Sequence, residues 1–360
     1  MNLKPNHFRW DLARNTFYLP DFKLLYLATP KAACTAWKWW VAELAGISRE
    51  QIVESSVNSR ESVEDLLIHD GIGRCKPEVQ SFDLEQMQKH YADPDLFRFA
   101  LVRNPFTRVF SAWASKVLLS EPGQRHHGEW PTIPRTIQEL AQGFEDFLGE
   151  VEAREYPDAW INSHWVPQSV WLDLPGVPFT RIYAIERMEQ ALSEIGERVR
   201  LQGGRPPDLR RYNETILPWQ PRFLTEQARQ RIIRLYQDDF SRFSYDPEQI
   251  PGRNDLSDEA VQGLLTAIPH LQERQRRIES LYQATTKLDA EKVQWMGLAE
   301  TRRLQREQER VQQQQSIAAY KQLAENAERK VALMEASRSW RLTRPLRNLT
   351  AVLRSMRGDG

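Results

Sequence analysis

Two stretches of the chain have the same order of a short apolar run, a polar turn and an amphipathic helix. In the first, the run from Leu24 to Ala28 has the length and composition of a strand buried on both faces. Pro30 ends this run, and a helix is predicted from Thr35. The helix carries an apolar stripe formed by Trp37, Trp40, Val41 and Leu44.

The second stretch begins with a strand predicted over Phe97 to Val102. Pro105 suits the first position of the helix that follows, because its missing N–H is not needed there. The buried face of that helix is predicted to contain Phe106, Val109, Phe110 and Trp113. Strands that alternate with helices in this way predict an α/β fold, in which ligands bind beyond the carboxyl ends of the strands.

Each of the two turns carries a cation and a hydroxyl group. Lys31 and Thr35 flank the start of the first helix, where unpaired N–H groups and the helix dipole favour an anion. Arg103 offers a planar fork for a phosphate, and Ser111 lies two turns into the next helix. The plainer alternative is an ordinary turn with a surface lysine, and arginines (Arg103 and Arg108) paired with carboxylates. The glycines of a standard P-loop are missing, which argues against an ATPase or GTPase.

These motifs resemble those of the sulfotransferases that use 3′-phosphoadenosine 5′-phosphosulfate (PAPS). Pro-Lys-x-x-Cys-Thr-x-x-Lys at 30–38 and Val-Arg-Asn-Pro-Phe-x-Arg-x-x-Ser-Ala at 102–112 are similar to the phosphosulfate and 3′-phosphate motifs of the chondroitin and HNK-1 type of carbohydrate sulfotransferase. Three later stretches fit the same pattern: His-Trp-Val-Pro-Gln at 164–168, Tyr-Ala-Ile-Glu at 183–186 and Leu-Tyr-Gln-Asp-Asp-Phe at 235–240. The resemblance covers residues 20–248. It departs from the family at Asn104, where aspartate is usual.

The resemblance implies a three-layer α/β fold with a P-loop-like, central parallel sheet, and transfer of a sulfuryl group from PAPS to a carbohydrate hydroxyl. Lys31 is expected to neutralise the leaving phosphate, since sulfuryl transfer resembles phosphoryl transfer. No metal is required, and no clustered ligand spacing is present in the sequence. The residues expected to bind PAPS are Lys31, Ala32, Ala33, Cys34, Thr35, Lys38, Arg103 and Ser111.

The reaction also needs a base for the acceptor hydroxyl, and histidine suits this role near neutral pH. His164 is the first candidate because it opens the His-Trp-x-Pro-Gln stretch. His69 and His90 are the alternatives. Glu186 ends a predicted strand and is expected to orient the base or to bind acceptor hydroxyls.

Composition agrees with an enzyme rather than a nucleic-acid-binding protein, because 49 basic residues balance 49 acidic ones. Cys34 and Cys75 are too few for a disulfide framework. The loop from 122 to 134, with His126 and His127, is expected to be a lid over the acceptor. The N-terminal region has no apolar run long enough for a signal peptide or membrane span, so a cytoplasmic, bacterial-like relative is expected.

The composition changes after residue 248. Residues 1–250 are predicted to form the sulfotransferase domain, and 251–336 a helical extension with coiled-coil tendency, from the spacing of Leu264, Leu271 and Ile278. Residues 337–360 are predicted to be a basic amphipathic tail. Expected partners are a second copy of the chain, through the helix, and the inner face of a membrane, through the tail. The alternatives are a solvated or partly disordered helix and a short capping helix.

Two other functions compete with PAPS-dependent sulfation. The first is a nucleotide-dependent phosphotransferase, which the missing glycines oppose. The second is a non-catalytic coiled-coil scaffold with a degenerate sulfotransferase fold, which the intact Lys31, Arg103 and Ser111 oppose. No motif specifies the acceptor sugar or the sulfated position.

Overall fold

The computed structural model describes residues 12, 14–56, 61, 63–80, 90, 93–121, 132–153, 162–173, 178–210, 216–252 and 256–357. His126 and His127 of the predicted lid lie outside the described residues. The chain divides into two compact units, Met1–Thr285 and Thr286–Gly360.

The described part of the first unit contains a mixed sheet of four strands in the order β1-β2-β3-β4. The strands β2, β3 and β4 are parallel, whereas β1 is antiparallel to β2. The central parallel strands expected from the sequence are present as β2, β3 and β4, and β1 makes the whole sheet mixed. A tight return through Lys23, at a φ of 48°, joins β1 to β2 and makes them antiparallel. The strands are β1 (Thr16–Leu19), β2 (Leu24–Leu27), β3 (Phe97–Val102) and β4 (Arg181–Ala184).

Helices make up most of the remaining described structure. The described residues include a π-helical turn, Ala114–Leu118, and four 3-10 turns, Pro20–Phe22, Glu64–Leu67, Ile185–Arg187 and Pro221–Phe223. The α-helices are α1 (Cys34–Leu44), α2 (Arg49–Glu54), α3 (Ile68–Cys75), α4 (Pro77–Gln80), α5 (Pro105–Trp113), α6 (Ile137–Ala153), α7 (Gln168–Trp171), α8 (Met188–Leu201), α9 (Glu226–Leu235), α10 (Gln237–Arg242), α11 (Asp258–Ala336), α12 (Arg338–Leu342) and α13 (Arg344–Arg357).

Strand β3 is buried on both faces and contributes to two apolar cores. Phe99 and Leu101 lie in the core that contains Trp37 of α1, while Ala100 and Val102 lie in the core that contains Phe106 of α5. Successive side chains of a strand point to opposite faces, so the sheet has one core on each side. This gives the three layers that were expected.

The long helix predicted after residue 257 is present as α11, and its first turns belong to the first unit. The side chain of Gln272 is fully buried and donates to the carbonyl oxygen of Leu118 at 2.7 Å. The compact unit thus continues past the boundary predicted at residue 250, because α11 supplies apolar side chains to the core next to α5. These side chains, all at most 2% exposed, are Val261, Leu265 and Ile268. Coiled-coil pairing of α11 stays a prediction.

Candidate active site

The loop that joins β2 to α1 contains two non-glycine residues in the left-handed conformation. Lys31 has a φ of 67° and Ala33 a φ of 56°. This conformation is costly for residues with a Cβ and persists only where the surroundings impose it, often at functional sites. Left-handed residues in a turn direct backbone N–H groups toward one side, as in anion-binding nests, and the start of α1 adds its dipole. The loop therefore combines a strained backbone with a helix start, and its binding of an anion stays a prediction.

Arg108 holds this loop in place from inside the protein. Its side chain is buried, and its Nε donates to the carbonyl oxygen of Pro30 at 3.0 Å. Its Nη1 donates to the carbonyl oxygen of Val166 at 2.8 Å. The plainer alternative was that Arg108 pairs with a carboxylate, but the hydrogen bonds of its guanidinium go to backbone carbonyls. It thereby ties the Lys31 loop to the segment that carries His164.

Arg103 lies directly after β3 and beside the Lys31 loop. Its Nη1 donates to the carbonyl oxygen of Lys31 at 3.4 Å, and its Nε donates to Oγ1 of Thr107 at 3.0 Å. Gln168 binds the backbone of Arg103 twice, accepting from its N–H and donating to its carbonyl, both at 2.8 Å. The two predicted cationic residues are thus brought together at one edge of the sheet. The carboxyl ends of neighbouring parallel strands meet there.

The last family-like stretch holds the His-Trp-x-Pro-Gln stretch in position. Asp239 is fully buried, and its carboxylate accepts from the backbone N–H groups of Gln168 and Ser169 at 2.8 and 2.7 Å. The hydroxyl of Tyr236 donates to the carbonyl oxygen of Trp165 at 2.7 Å. Tyr236 and Asp239 therefore bind the backbone near His164 and do not contact its ring.

Glu186 serves the same kind of positioning role at the end of β4. One carboxylate oxygen accepts from the backbone N–H of Asn104, and the other accepts from the hydroxyl of Tyr245, both at 2.8 Å. Asn104 caps α5, since its Oδ1 accepts from the N–H of Phe106 at 3.0 Å. Asn104 replaces the aspartate that is usual in the family, but its side chain still provides the oxygen that caps the helix. Glu186 thus orients the turn that carries Arg103.

The ammonium group of Lys31 belongs to a cluster of partly buried charges that the sequence did not reveal. Its Nζ donates to Oγ of Ser115, and Lys116 forms an ion pair with Glu121 whose side chains are only 12% and 11% exposed. Burial lowers the pKa of Lys31 to about 8; the Glu121 carboxylate opposes this shift, and the Lys116 charge adds to it. Ser115 and Lys116 lie on the π-helical turn after α5, a feature often found at functional sites. Ser115 also donates to the carbonyl oxygen of Ser111, which is itself buried.

His164 faces the same charges. Its Nδ1 lies 2.7 Å from Oδ1 of Asn162, an acceptor, so Nδ1 carries the proton and Nε2 has a lone pair. Burial holds the pKa of His164 well below its usual value, and the charges of Lys116 and Lys31 act in the same direction. The ring is therefore neutral near pH 7 and can accept a proton.

Both ring nitrogens of His69 lie within hydrogen-bonding distance of another side chain. Its Nδ1 lies 3.1 Å from Nζ of Lys38, and its Nε2 lies 3.4 Å from Oγ1 of Thr35. Burial, with the charge of Lys38, keeps the pKa of His69 well below its usual value. Lys38 is 2% exposed and also donates to Oδ1 of Asn15 at 2.9 Å, so it does not face solvent. Lys38 and His69 together orient Thr35 at the start of α1.

The remaining predicted residues lie as follows. The ring of His90 lies tilted against that of Tyr18, with centroids 3.9 Å apart. Burial lowers the pKa of His90, and the charge of Asp93 opposes this shift. The backbone N–H of Ala32 donates to the carbonyl of Thr29 at 3.2 Å and closes the turn. Cys34 has a free, partly buried thiol at the start of α1.

Glu61 is a further group that the sequence analysis did not include. Burial raises its pKa to about 7, and the charges of Lys116 and Lys31 oppose this shift while Glu121 and Asp70 add to it. It adds to the cluster a carboxyl group whose charge changes near neutral pH. Within the described residues, no group of histidine, cysteine and carboxylate side chains has an arrangement that could hold a metal ion.

A sequence model described as the sulfotransferase family matches residues 14–246, which contain every motif discussed above. The chain belongs to the sulfotransferase family. The predicted class of enzyme, a sulfotransferase, is thereby confirmed. The mixed sheet with its helices and the long α11 is compatible with the α/β fold of this family.

Several proteins of known name are similar to this sulfotransferase. Carbohydrate sulfotransferase 10 of Danio rerio is 24% identical over 267 residues, which cover 66% of this chain and 70% of that protein. Carbohydrate sulfotransferase 10 of Homo sapiens is 24% identical over 64% of this chain and 66% of its own length. Carbohydrate sulfotransferase 14 of Homo sapiens is 28% identical, but the match spans 56% of this chain and half of that protein. No solved structure gives a significant match.

Proposed function

We propose that this sulfotransferase moves a sulfuryl group from PAPS to a hydroxyl group of a carbohydrate. One observation carries the proposal: the strained Lys31 loop, the Arg103 guanidinium and the neutral ring of His164 belong to one connected site at the carboxyl ends of β2 and β3. The names of the similar proteins support a carbohydrate as the acceptor.

The site suits a donor with several negative charges. The backbone of the Lys31 loop, the start of α1 and the hydroxyl of Thr35 offer hydrogen-bond donors to the phosphosulfate end. Arg103 offers a guanidinium to the 3′-phosphate, and Ser111, on α5, offers a hydroxyl. When bound, PAPS supplies the sulfuryl group and leaves as a bisphosphate. In this proposal the lysine and arginine side chains of the protein neutralise the negative charge of PAPS, so the reaction needs no metal cation.

His164 and Lys31 have different roles in the proposed reaction, one accepting a proton and the other stabilising negative charge. The lone pair on Nε2 of His164 accepts the proton of the acceptor hydroxyl, while Asn162 fixes the ring through Nδ1. The ammonium of Lys31 stabilises the charge that develops on the leaving phosphate. An anion beside Lys31 raises the pKa of Lys31 from about 8, so the lysine stays protonated during the reaction. Lys116 supplies a second positive charge, which keeps His164 neutral.

Calorimetry with 3′-phosphoadenosine 5′-phosphate tests the donor site. Arg103→Ala should weaken binding roughly ten- to a hundredfold, since a lost hydrogen bond to a charged group costs about 1.5–3 kcal/mol. Arg181→Ala is the matched control, because Arg181 is exposed at the opposite end of a neighbouring strand. Equal affinities of the two variants would remove Arg103 from the nucleotide site.

A product assay separates the competing functions. The protein is incubated with labelled PAPS, or with labelled ATP, and a panel of glycans. Label that passes to a glycan from PAPS alone supports the proposal. Transfer from ATP would make the protein a phosphotransferase, and binding of PAPS without turnover on any glycan, in a protein whose Lys31 is intact, would favour the scaffold alternative.

A further inference from the structure

The C-terminal segment forms two helices that are held together by their own contacts. Ser337 caps α12, since its Oγ accepts from the N–H of Trp340 at 3.3 Å. The guanidinium of Arg347 in α13 lies over the ring of Trp340, 3.6 Å from its centroid, and donates to the Trp340 carbonyl at 2.6 Å. It also donates to Oγ1 of Thr343 between the helices at 2.6 Å. Residues 337–357 therefore form a pair of helices that contact each other.

Helix α13 presents a continuous apolar face to solvent. Its apolar residues recur at spacings of three and four, which places them on one side of the helix. Every one of them is more than half exposed, so the described chain does not cover this face. An exposed apolar face of this kind usually marks an interaction site. The residues are Leu346, Leu349, Val352, Leu353 and Met356, with exposed fractions of 67, 63, 53, 52 and 79%.

The C-terminal segment is strongly positive, although the whole chain has no net charge. Residues 337–360 contain six arginines and a single acidic residue, Asp359. Arg347 and Arg354 are seven residues apart and lie, like Ala351, on the side of the helix opposite the apolar face. A helix with one apolar side and one arginine-bearing side is suited to a surface that is apolar inside and anionic outside.

We propose that α13 lies flat on an anionic membrane surface, with its apolar face below the headgroups and its arginines at the lipid phosphates. A second copy of α13 suits this face less well, because each copy of the segment carries six arginines and a single acidic residue, and like charges repel. The helix has 14 residues and is about 21 Å long, less than the thickness of a bilayer core. None of the described helices is long and apolar enough to cross a membrane, so the contact is with the surface. The inference does not depend on the proposed reaction.

Flotation of the full chain with lipid vesicles tests this inference. The chain should bind vesicles of phosphatidylcholine with phosphatidylglycerol and not vesicles of phosphatidylcholine alone, and binding should weaken as salt is raised. Equal binding to the two kinds of vesicle, or no binding to either, would overturn the proposal.

Two variants with the same charge change separate the apolar face from the general attraction of the segment. Ala351→Asp adds one negative charge on the far side of α13 and should weaken binding about fivefold. Leu353→Asp adds the same charge on the apolar face and should bind at least about tenfold more weakly than Ala351→Asp, because the buried leucine is lost as well. Equal binding of the two variants would show that no apolar face enters the membrane.

Sedimentation without lipid tests whether a second copy of the chain covers the apolar face of α13. The wild-type chain and the Leu353→Asp variant should have the same oligomeric state and the same thermal unfolding curve. A dimer that Leu353→Asp dissociates would assign the face to a second copy of the chain and overturn the membrane proposal. Loss of vesicle binding with unchanged sedimentation supports it.

Discussion

At the scale of single residues, Lys31 combines an unfavourable backbone with a partly buried charge. Its pKa falls from 10.5 to about 8, which corresponds to a penalty of about 3 kcal/mol for the folded ammonium form. Lys31→Met should therefore lose turnover by about a hundredfold or more while raising the free energy of unfolding by about 1–3 kcal/mol. Chemical denaturation and a transfer assay measure the two effects.

The pH dependence of this stability change identifies its cause. The penalty is present below pH 8 and disappears as the pH rises from about 8 toward 10.5, where the unfolded lysine also loses its proton. The advantage of Lys31→Met should shrink over the same range. Lys23→Met, at an exposed lysine that also has a left-handed backbone, should change stability by less than about 0.5 kcal/mol. A variant at Lys31 that is less stable than wild type at pH 7 would contradict the buried-charge explanation.

His164 should control the acidic side of the pH–rate profile. Because its pKa lies well below 6.5, kcat/KM should stay high down to pH values below 6.5 and then fall as the ring is protonated. Replacing the buried pair together, as Lys116→Met with Glu121→Leu, removes the positive charge without leaving a lone carboxylate. The acidic limb should then move to higher pH, while Lys116→Arg should keep it in place.

The His164→Ala variant completes this test. It should lose turnover but keep its affinity for the nucleotide, because the ring binds Asn162 and not the Arg103 turn. Near-normal turnover with saturating acceptor would exclude His164 as the base, and His69 or Glu61 would then be examined.

At the scale of secondary-structure elements, the contact between α11 and the π-helical turn links the long helix to the site. Gln272 is fully buried and binds the carbonyl of Leu118, the last residue of the turn that carries Ser115 and Lys116. Gln272→Leu should lower the free energy of unfolding by about 1–3 kcal/mol, since it leaves that carbonyl without its donor. It should also reduce turnover, because the turn positions Lys116.

The control for this prediction lies ten residues earlier on the same helix. Gln262 also donates to a backbone carbonyl, that of Arg135, but the contact is exposed. Gln262→Leu should change stability by less than about 0.5 kcal/mol, because water replaces the lost donor. Thermal and denaturant unfolding of both variants, with turnover measured in parallel, checks the difference.

At the scale of the whole molecule, the first unit should fold without the second. A chain ending at Thr285 keeps the turns of α11 that fill the core next to α5, whereas a chain ending at Gly252 loses Val261, Leu265 and Ile268. Removing three fully buried aliphatic side chains costs about 5–9 kcal/mol, which is comparable to the stability of a typical domain. The longer chain should be soluble and active, and the shorter one should not fold. A folded, active chain ending at Gly252 would show that the first turns of α11 are dispensable.

The sequence alone determined the elements that depend on local pattern. The strands at 24–28 and 97–102, the helices after them and the long polar helix follow from periodicity, proline positions and length, which neighbouring residues decide. The turns with Lys31 and Arg103 were predicted because strand ends and helix starts determine where such side chains lie. Membership of the sulfotransferase family likewise rests on short ordered motifs.

Only the tertiary structure decided which side chains lie together and which of them position the backbone of other segments. Arg108, Gln168 and Asp239 bind backbone groups of segments far away in the chain, so no local pattern indicates their partners. The cluster of Lys31 and Lys116 depends on a π-helical turn, whose extra residue changes the direction of each side chain that follows. The pKa values of Lys31 and His164 depend on burial and on charges from several elements, and burial is a property of the folded chain rather than of its sequence.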